Sequence, residues 1–314
     1  MITMNQYKSA LMGLIVADAL GVPVEFNSRD SLRQNPVTSM RAYGTHQQPV
    51  GTWSDDSSMT LATLDSLKQG YNLDDMMDRF AAWKNENEYS PHGDLFDIGL
   101  GTWKAIDRWV EDRDVKTCGG DSAQNNGNGS LMHMLPVCLY GYEWEKSGEL
   151  SETEVISRIH EVSGLTHNHL RSKIACGLYY FCVKAILDGK GILSERLYIG
   201  MNRGFAFYER SGECVHELCY YDRLRNLTSF AELGEDEIRS SGYVVDTLEA
   251  VIWCLLNTDS YRECVLKAVN LGEDTDTVGA IAGGLAGLWY GDEAIPKEWL
   301  DVIVRREWIE EMLR

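Results

Sequence analysis

The sequence is poor in several features that would each have pointed to a class of protein. None of its eight cysteines, at 118, 138, 176, 182, 214, 219, 254 and 264, falls in a C-x-x-C pair. That gives no support to a zinc ribbon or a thioredoxin-type redox motif. Most sit among apolar neighbours, as in Ala175-Cys176-Gly177-Leu178 and Trp253-Cys254-Leu255. Such cysteines read as buried free thiols in a reducing cytoplasm. Proline is scarce, with six residues, and no low-complexity linker divides the chain. Basic residues are the minority: 29 Lys and Arg stand against 48 Asp and Glu, a formal net charge of -19. A surface of that sign repels nucleic-acid backbones and anionic membranes. The first ten residues include polar Asn5, Gln6 and Lys8. They lack the long apolar stretch of a signal peptide, and no 18-residue apolar run is expected to span a membrane. Strand-like alternation is scarce as well.

What is present is helical period. Hydrophobic residues make up 44% and charged residues 25% of 314, enough to bury a sizeable core. Val245, Leu248, Ile252, Leu255 and Leu256 are spaced by threes and fours, which stripes one helix face. Similar spacing predicts helices over 61–83 and 95–110. It also predicts one or two over 155–187, broken near Thr166-His167-Asn168. The expectation is an all-α, single compact domain over 1–314. Residues 200–240 lack clean periodicity and are expected to form a peripheral insert near a substrate entrance. Two small-residue stripes stand out: Ala10, Gly13 and Ala17, and Gly279, Gly283 and Gly287 with Ala282 and Ala286 beside them. Each helical glycine costs about 1 kcal/mol relative to alanine. Their spacing predicts very close helix contact at the centre of the domain.

Two polar clusters open helices. Gly51-Thr52-Trp53-Ser54-Asp55-Asp56-Ser57 precedes the periodicity that starts at Met59. Gly272-Glu273-Asp274-Thr275-Asp276-Thr277 precedes Val278-Gly279-Ala280-Ile281. Ser and Asp are favoured N-caps, and acids in a first turn complement the helix dipole, so capping alone accounts for either cluster. Together they supply four carboxylates and at least two hydroxyls from distant parts of the chain. An all-oxygen set suits hard cations such as Mg²⁺ or Mn²⁺. No histidine or cysteine is interleaved, which disfavours zinc, and the twelve-residue EF-hand pattern is absent.

At this point the sequence resembles the ADP-ribosylglycohydrolase family. The segment from Gly13 to Phe26, GLIVADALGVPVEF, is similar to its N-terminal signature. Ser54-Asp55-Asp56 is similar to its T/S-D-D element, and Asn128-Gly129-Ser130-Leu131-Met132 to its G-N-G-S/A-x-M loop. Gly272 to Gly287 resembles its G-x-D-T-D-T helix start and the Gly/Ala-rich helix that follows. The motifs occur in family order from 13 to 291. The resemblance implies an all-α fold around a central cleft holding two metal ions, Mg²⁺ or Mn²⁺. It implies metal ligation by Ser54, Asp55, Asp56, Asp274, Asp276 and Thr277. Glu25 corresponds to the family's acid near the distal ribose, and Asp97, in Phe96-Asp97-Ile98-Gly99, to an Asp close to the scissile bond. Asn128, Gly129, Ser130 and Met132 belong to the loop expected to cradle the diphosphate, where backbone N–H groups approach an anion at a helix start. His167, in Thr166-His167-Asn168-His169, is a candidate contact to phosphate or ribose, with a buried structural histidine as the other reading. Tyr243 is a candidate ligand contact or a core aromatic. His133 stands where many members have Arg, and Glu273 where many have Gly.

The activity implied is metal-dependent hydrolysis of the bond between ADP-ribose and a modified protein side chain, with arginine the expected acceptor by analogy. Cleavage at C1 of the ribose develops oxocarbenium character. Metal ions would hold the ribose hydroxyls and orient a water, and Glu25 or Asp97 would act as base or stabilise the cationic sugar. Two other readings remain: a non-catalytic ADP-ribose reader, and a hydrolase of a small ADP-ribose derivative. The expected partners are ADP-ribose and an ADP-ribosylated protein, without nucleic acid or membrane. The sequence does not indicate an oligomeric state.

Overall fold

The computed structural model describes residues 1–314 and consists of fifteen α-helices joined by turns, with no β-sheet. The first, α1 (Met4–Gly21), starts on a reciprocal cap between Thr3 and Gln6. A short helix α2 (Arg29–Gln34) follows, then α3 (Asp55–Gln69), α4 (Leu73–Glu86) and α5 (Leu100–Asp112). The expected helix over 61–83 is therefore two. Gly70, at φ 119°, ends α3, and the Asn72 side chain accepts from Asp74 N and Asp75 N to start α4. Nor does the expected helix begin at 95, because Asp97 lies in an irregular segment before α5. The chain continues through α6 (Leu135–Ser147), α7 (Glu152–Gly164) and α8 (Leu170–Asp188), whose break falls at Leu165–His169 as the spacing predicts.

Next come α9 (Leu193–Tyr208), α10 (Leu227–Ala231), α11 (Val244–Leu256), α12 (Tyr261–Asn270) and α13 (Thr275–Tyr290). Two short helices, α14 (Lys297–Leu300) and α15 (Arg306–Met312), close the chain. Residue 200 is not a boundary, since α9 runs through it to Tyr208. Residues 209–240 combine turns, the 3₁₀ segments Leu218–Arg225 and Glu235–Glu237 and the short α10, which explains the missing helical period. Leu218, Tyr221, Leu224, Leu227, Phe230 and Ile238 of this stretch are buried in the common core. One continuous apolar cluster includes residues from α1 to the C-terminal residues, which makes the chain a single domain.

The pair that sets the geometry is α1 against α13. A Cβ added at Gly13 would lie 2.5 Å from Gly283 O, and one at Gly287 would lie 2.2 Å from Ser9 O. The two glycine stripes are thus apposed backbone to backbone, as their spacing predicts. The apolar stretch Met4–Val24 is long and apolar enough to cross a membrane by composition, contrary to the reading of the sequence. It is 89% buried inside the domain and carries the buried acid Asp18, so its apolar surface is spent on the core.

This packing has a measurable consequence. A Cβ at Gly283 would sit 2.4 Å from both Gly13 O and the Ala17 Cβ, so backbone must move. Overpacking of this kind costs about 1–3 kcal/mol. The gain in helix propensity is only about 1 kcal/mol. Gly283→Ala is therefore expected to lower the thermal midpoint measured by circular dichroism. Gly212→Ala, where an added Cβ meets nothing within 4 Å, should leave it unchanged.

Candidate active site

Where α1 ends, the chain turns through Val22–Val24 and delivers Glu25 next to the N-terminus of α13. The N-terminus of α3 arrives at the same place. A Cβ at Gly21 would lie 2.4 Å from Asp276 Cα, which shows how closely these segments meet. The result is a cavity of ≈ 310 Å³. Glu25, Asp55, Asp97, Asp274 and Thr277 line it together with Gly127, Asn128, Gly129, Met132 and His167. Two groups of acids, Asp18–Asp56–Asp276 and Glu25–Asp274–Asp276, each bring their oxygens within 4.8 Å of one another. A third group joins Glu25 and Asp97 to His46 at the same spacing.

The predicted ligand residues therefore converge. Ser54 caps α3 by accepting from Asp56 N, and its hydroxyl also reaches Asp56 Oδ2 at 3.1 Å. Thr277 Oγ1 donates to Asp56 Oδ2 at 3.3 Å, which joins the two helix starts directly. Capping and site formation coexist at α3. At α13 they separate: Asp274 is the N-cap residue but makes no side-chain cap hydrogen bond. Its carboxylate instead accepts from Asn128 Nδ2 at 2.7 Å.

Asp18 went unassigned in the sequence, and the structure makes it the organiser of α3. Its carboxylate, wholly buried, accepts from Ser54 N and Ser54 Oγ at 3.0 and 2.9 Å, and from Ser57 N and Ser57 Oγ at 3.1 and 2.5 Å. The available signal was a lone acid inside an otherwise apolar helix, since a buried carboxylate requires donors. His46 was missed for lack of any motif; its Nε2 is hydrogen-bonded to Glu25 Oε2.

The electrostatics are one-sided. Burial pushes the Asp18 and Glu25 carboxyls up to about 7, against the pull of their hydrogen-bond donors. Asp55, Asp56 and Asp276 are raised well above the usual carboxylate range, first by burial and then by neighbouring acids. None of these five forms an ion pair with a lysine or arginine. Asp56 Oδ1 is buried without any hydrogen-bond partner. An orphaned carboxylate oxygen among all-oxygen neighbours fits a hard cation. The acid cluster is thus able to hold metal.

The glycine loop lines the cavity with the acids. His167 packs against three glycines: Cβ atoms added at Gly101, Gly127 and Gly129 would lie 2.9, 3.2 and 2.8 Å from its ring. Burial lowers its pKa to about 4, so it is a neutral wall of the cavity. Met132 lines the cavity, but Ser130 does not. The Ser130 hydroxyl faces the core, beside Cys176 and accepting from Ser163 Oγ, because the 3₁₀ turn Asn128–Ser130 points it inward. Tyr243 meets the loop through its backbone: Val244 N donates to Asn126 O, and Asn128 N to Gly242 O. Its hydroxyl accepts from Arg171 at 3.1 Å, and its side chain is absent from the cavity wall. His133 is also core, with Nδ1 3.2 Å from Thr63 Oγ1 and an edge-on contact with Phe80. Glu273 is exposed at φ 62°, a left-handed position that explains why glycine suits it.

Fold and site together define an all-helical protein whose acid cluster can hold metal beside a glycine-rich loop. The comparisons with known proteins give the particular family. A family model described as ADP-ribosylglycohydrolase matches residues 2–314, and the chain belongs to that family. It is 32% identical to ADP-ribosylarginine hydrolase Tri1 of Serratia proteamaculans, over 97% of this chain and 77% of that one. It is 30% identical to ADP-ribosyl-[dinitrogen reductase] glycohydrolase of Rhodospirillum rubrum, over 95% and 91% of the two chains. A solved structure of an ADP-ribosylglycohydrolase-related protein complex aligns with TM-score 0.77 and 29% identity, covering 99% of this chain and 96% of that one.

The raised carboxyls fix a pH dependence. A carboxyl whose folded pKa exceeds its unfolded value binds its proton more tightly when folded. Its contribution to stability is fully present below about pH 4 and is lost as the pH rises through the folded value, about 7 for Asp18 and Glu25. After exhaustive treatment with EDTA, the thermal midpoint should fall between pH 5 and pH 8. Added Mg²⁺ or Mn²⁺ should raise it more at pH 8, where fewer protons compete for the oxygens. A midpoint insensitive to both pH and metal would contradict this reading of the acid cluster.

Proposed function

We propose that this enzyme hydrolyses the glycosidic bond joining ADP-ribose to a protein arginine. The observation that carries the reading is one cavity lined by both carboxylates and the Gly127–Gly129 loop. The loop suits the diphosphate, because Gly127 and Gly129 present backbone with no side chain to hold its oxygens off. The arginine linkage is supported by the Serratia relative, an ADP-ribosylarginine hydrolase.

Ser54, Asp55, Asp56, Asp274, Asp276 and Thr277 would hold two divalent cations, Mg²⁺ or Mn²⁺. The all-oxygen donor set and the unpartnered Asp56 Oδ1 support this. When bound, such ions supply Lewis-acid polarisation and lower the pKa of coordinated water. Asp18 and Asn128 have the positioning work, Asp18 through Ser54 and Ser57 and Asn128 through Asp274.

Glu25 is our choice for the base. His46 occupies its Oε2, which leaves Oε1 to accept a proton from the attacking water. Its carboxyl, raised to about 7, suits proton transfer near neutral pH. The water oxygen forms the new bond to C1 as the C1–N bond breaks, the electron pair leaves on the guanidine nitrogen, and that nitrogen takes the proton Glu25 drew from the water. Asp97 faces the same space and stabilises the positive charge that develops on the sugar. Eight reduced cysteines, seven of them buried, support a reducing compartment such as the cytoplasm.

The test is release of free ADP-ribose from an arginine-ADP-ribosylated protein, followed by HPLC with Mg²⁺ or Mn²⁺ and then with excess EDTA. Metal-dependent release is expected. Asp276→Ala should abolish it, and Glu25→Gln should slow turnover by about 10²- to 10⁴-fold with ADP-ribose binding retained. Binding of ADP-ribose with no release from any linkage would instead identify a reader.

A further inference from the structure

Phe26 has a position that the groups named so far do not explain. It is a large aromatic residue, 70% exposed, with its backbone at φ 62°. The left-handed region is unfavourable for a bulky residue and persists only where the surroundings enforce it. Here the enforcement is visible. Phe26 N donates to Glu273 O at 2.7 Å and Glu273 N donates to Asn27 O at 2.8 Å, so two left-handed residues clamp each other. Core burial does not account for the ring. It lines the acid cavity instead.

Its surroundings are specific. The His46 ring lies 6.0 Å from the Phe26 ring, centroid to centroid, and Phe96 lies 5.3 Å from His46 on its own contact. His46 is a spacer between the two phenyl rings, fixed by its bond to Glu25. The carboxylates of Glu25 and Asp97 come within 4.8 Å of the same imidazole. Phe26 therefore stands in the cavity wall with Glu25 and Asp97, in ring contact with His46.

We propose that Phe26, held by His46 and Phe96, forms an acceptor subsite that takes the planar guanidinium of the modified arginine against Asp97, and so sets the linkage this enzyme prefers. The inference rests on the hydrolase reading above. A guanidinium is attracted to an aromatic face within about 6 Å, and its fork of N–H donors matches carboxylate geometry. A serine linkage offers neither a cation nor a plane. The net charge of -19 further favours a cationic acceptor segment.

The test uses the full chain with ADP-ribosyl-arginine and ADP-ribosyl-serine peptides, and the variants Phe26→Gly and Phe26→Trp. Glycine relieves the backbone, so Phe26→Gly should keep a thermal midpoint no lower than wild type and should bind free ADP-ribose as wild type does. Its KM for the arginine peptide should rise about fivefold or more, and inhibition by agmatine should weaken in step. Turnover of the serine peptide should not change, and Phe26→Trp should keep the wild-type KM for arginine. Unchanged arginine KM and agmatine inhibition in Phe26→Gly would overturn the subsite while leaving the hydrolase intact. An equal loss on both peptides would overturn it too. Wild-type protein that releases ADP-ribose from neither peptide would bring down the hydrolase reading and the subsite with it.

Discussion

The site depends on the contact between α1 and α13. At Gly13, Gly283 and Gly287 the helices meet without intervening side chains, so their relative height and rotation are fixed by backbone atoms. That precision is passed to both ends of the site. The last turn of α1 carries Asp18 and leads to Glu25, while the first turn of α13 carries Asp276 and Thr277. With Gly21 pressed against Asp276, a shift of the pair by one residue would separate the acids from one another. Glycine lowers helix propensity at these positions, and the close approach it permits is what offsets that loss.

The second constraint is the gathering of buried acids with no basic partner. Each carboxylate left charged in a dry site is costly, and several together repel one another. The protein answers Asp18 with four donors from two serines, which turns one acid into a structural clamp. It answers Asp274 with Asn128. Asp56 keeps an oxygen without a partner. The acids are thus divided: some are satisfied by the protein and hold the others in place, and the others remain available to a cation and a substrate.

How much of this was legible in the sequence follows from where the information lies. Ser54-Asp55-Asp56 and Asp274-Thr275-Asp276-Thr277 were readable because consecutive hydroxyls and carboxylates precede a clear helical period. The α1–α13 contact was readable because glycines every four residues are a local pattern with a steric meaning. Asp18 was not readable as a clamp, since its donors lie 36 and 39 residues away. Nor were His46 and Phe26, which belong to irregular segments positioned by tertiary contacts. Ser130 and Tyr243 were placed in the right loops, but their side chains turn to the core and to Arg171, because motif spacing fixes a backbone neighbourhood and leaves side-chain direction open. Residues 209–240 show no clean period in the sequence for a related reason: 3₁₀ turns bury apolar residues without a 3.6-residue period.

The departure at Glu273 joins these threads. Taken on sequence alone, a carboxylate beside the ligand helix suggests an altered ligand set. The backbone shows otherwise: φ 62° turns the side chain to solvent, and the residue acts through its main chain by clamping Phe26 and Asn27. A glycine would reach this conformation with less strain, but the two hydrogen bonds would be the same. What the position requires is a left-handed turn that brings the Glu25 segment to the start of α13. Glu273 meets that requirement through its main chain, with its side chain exposed.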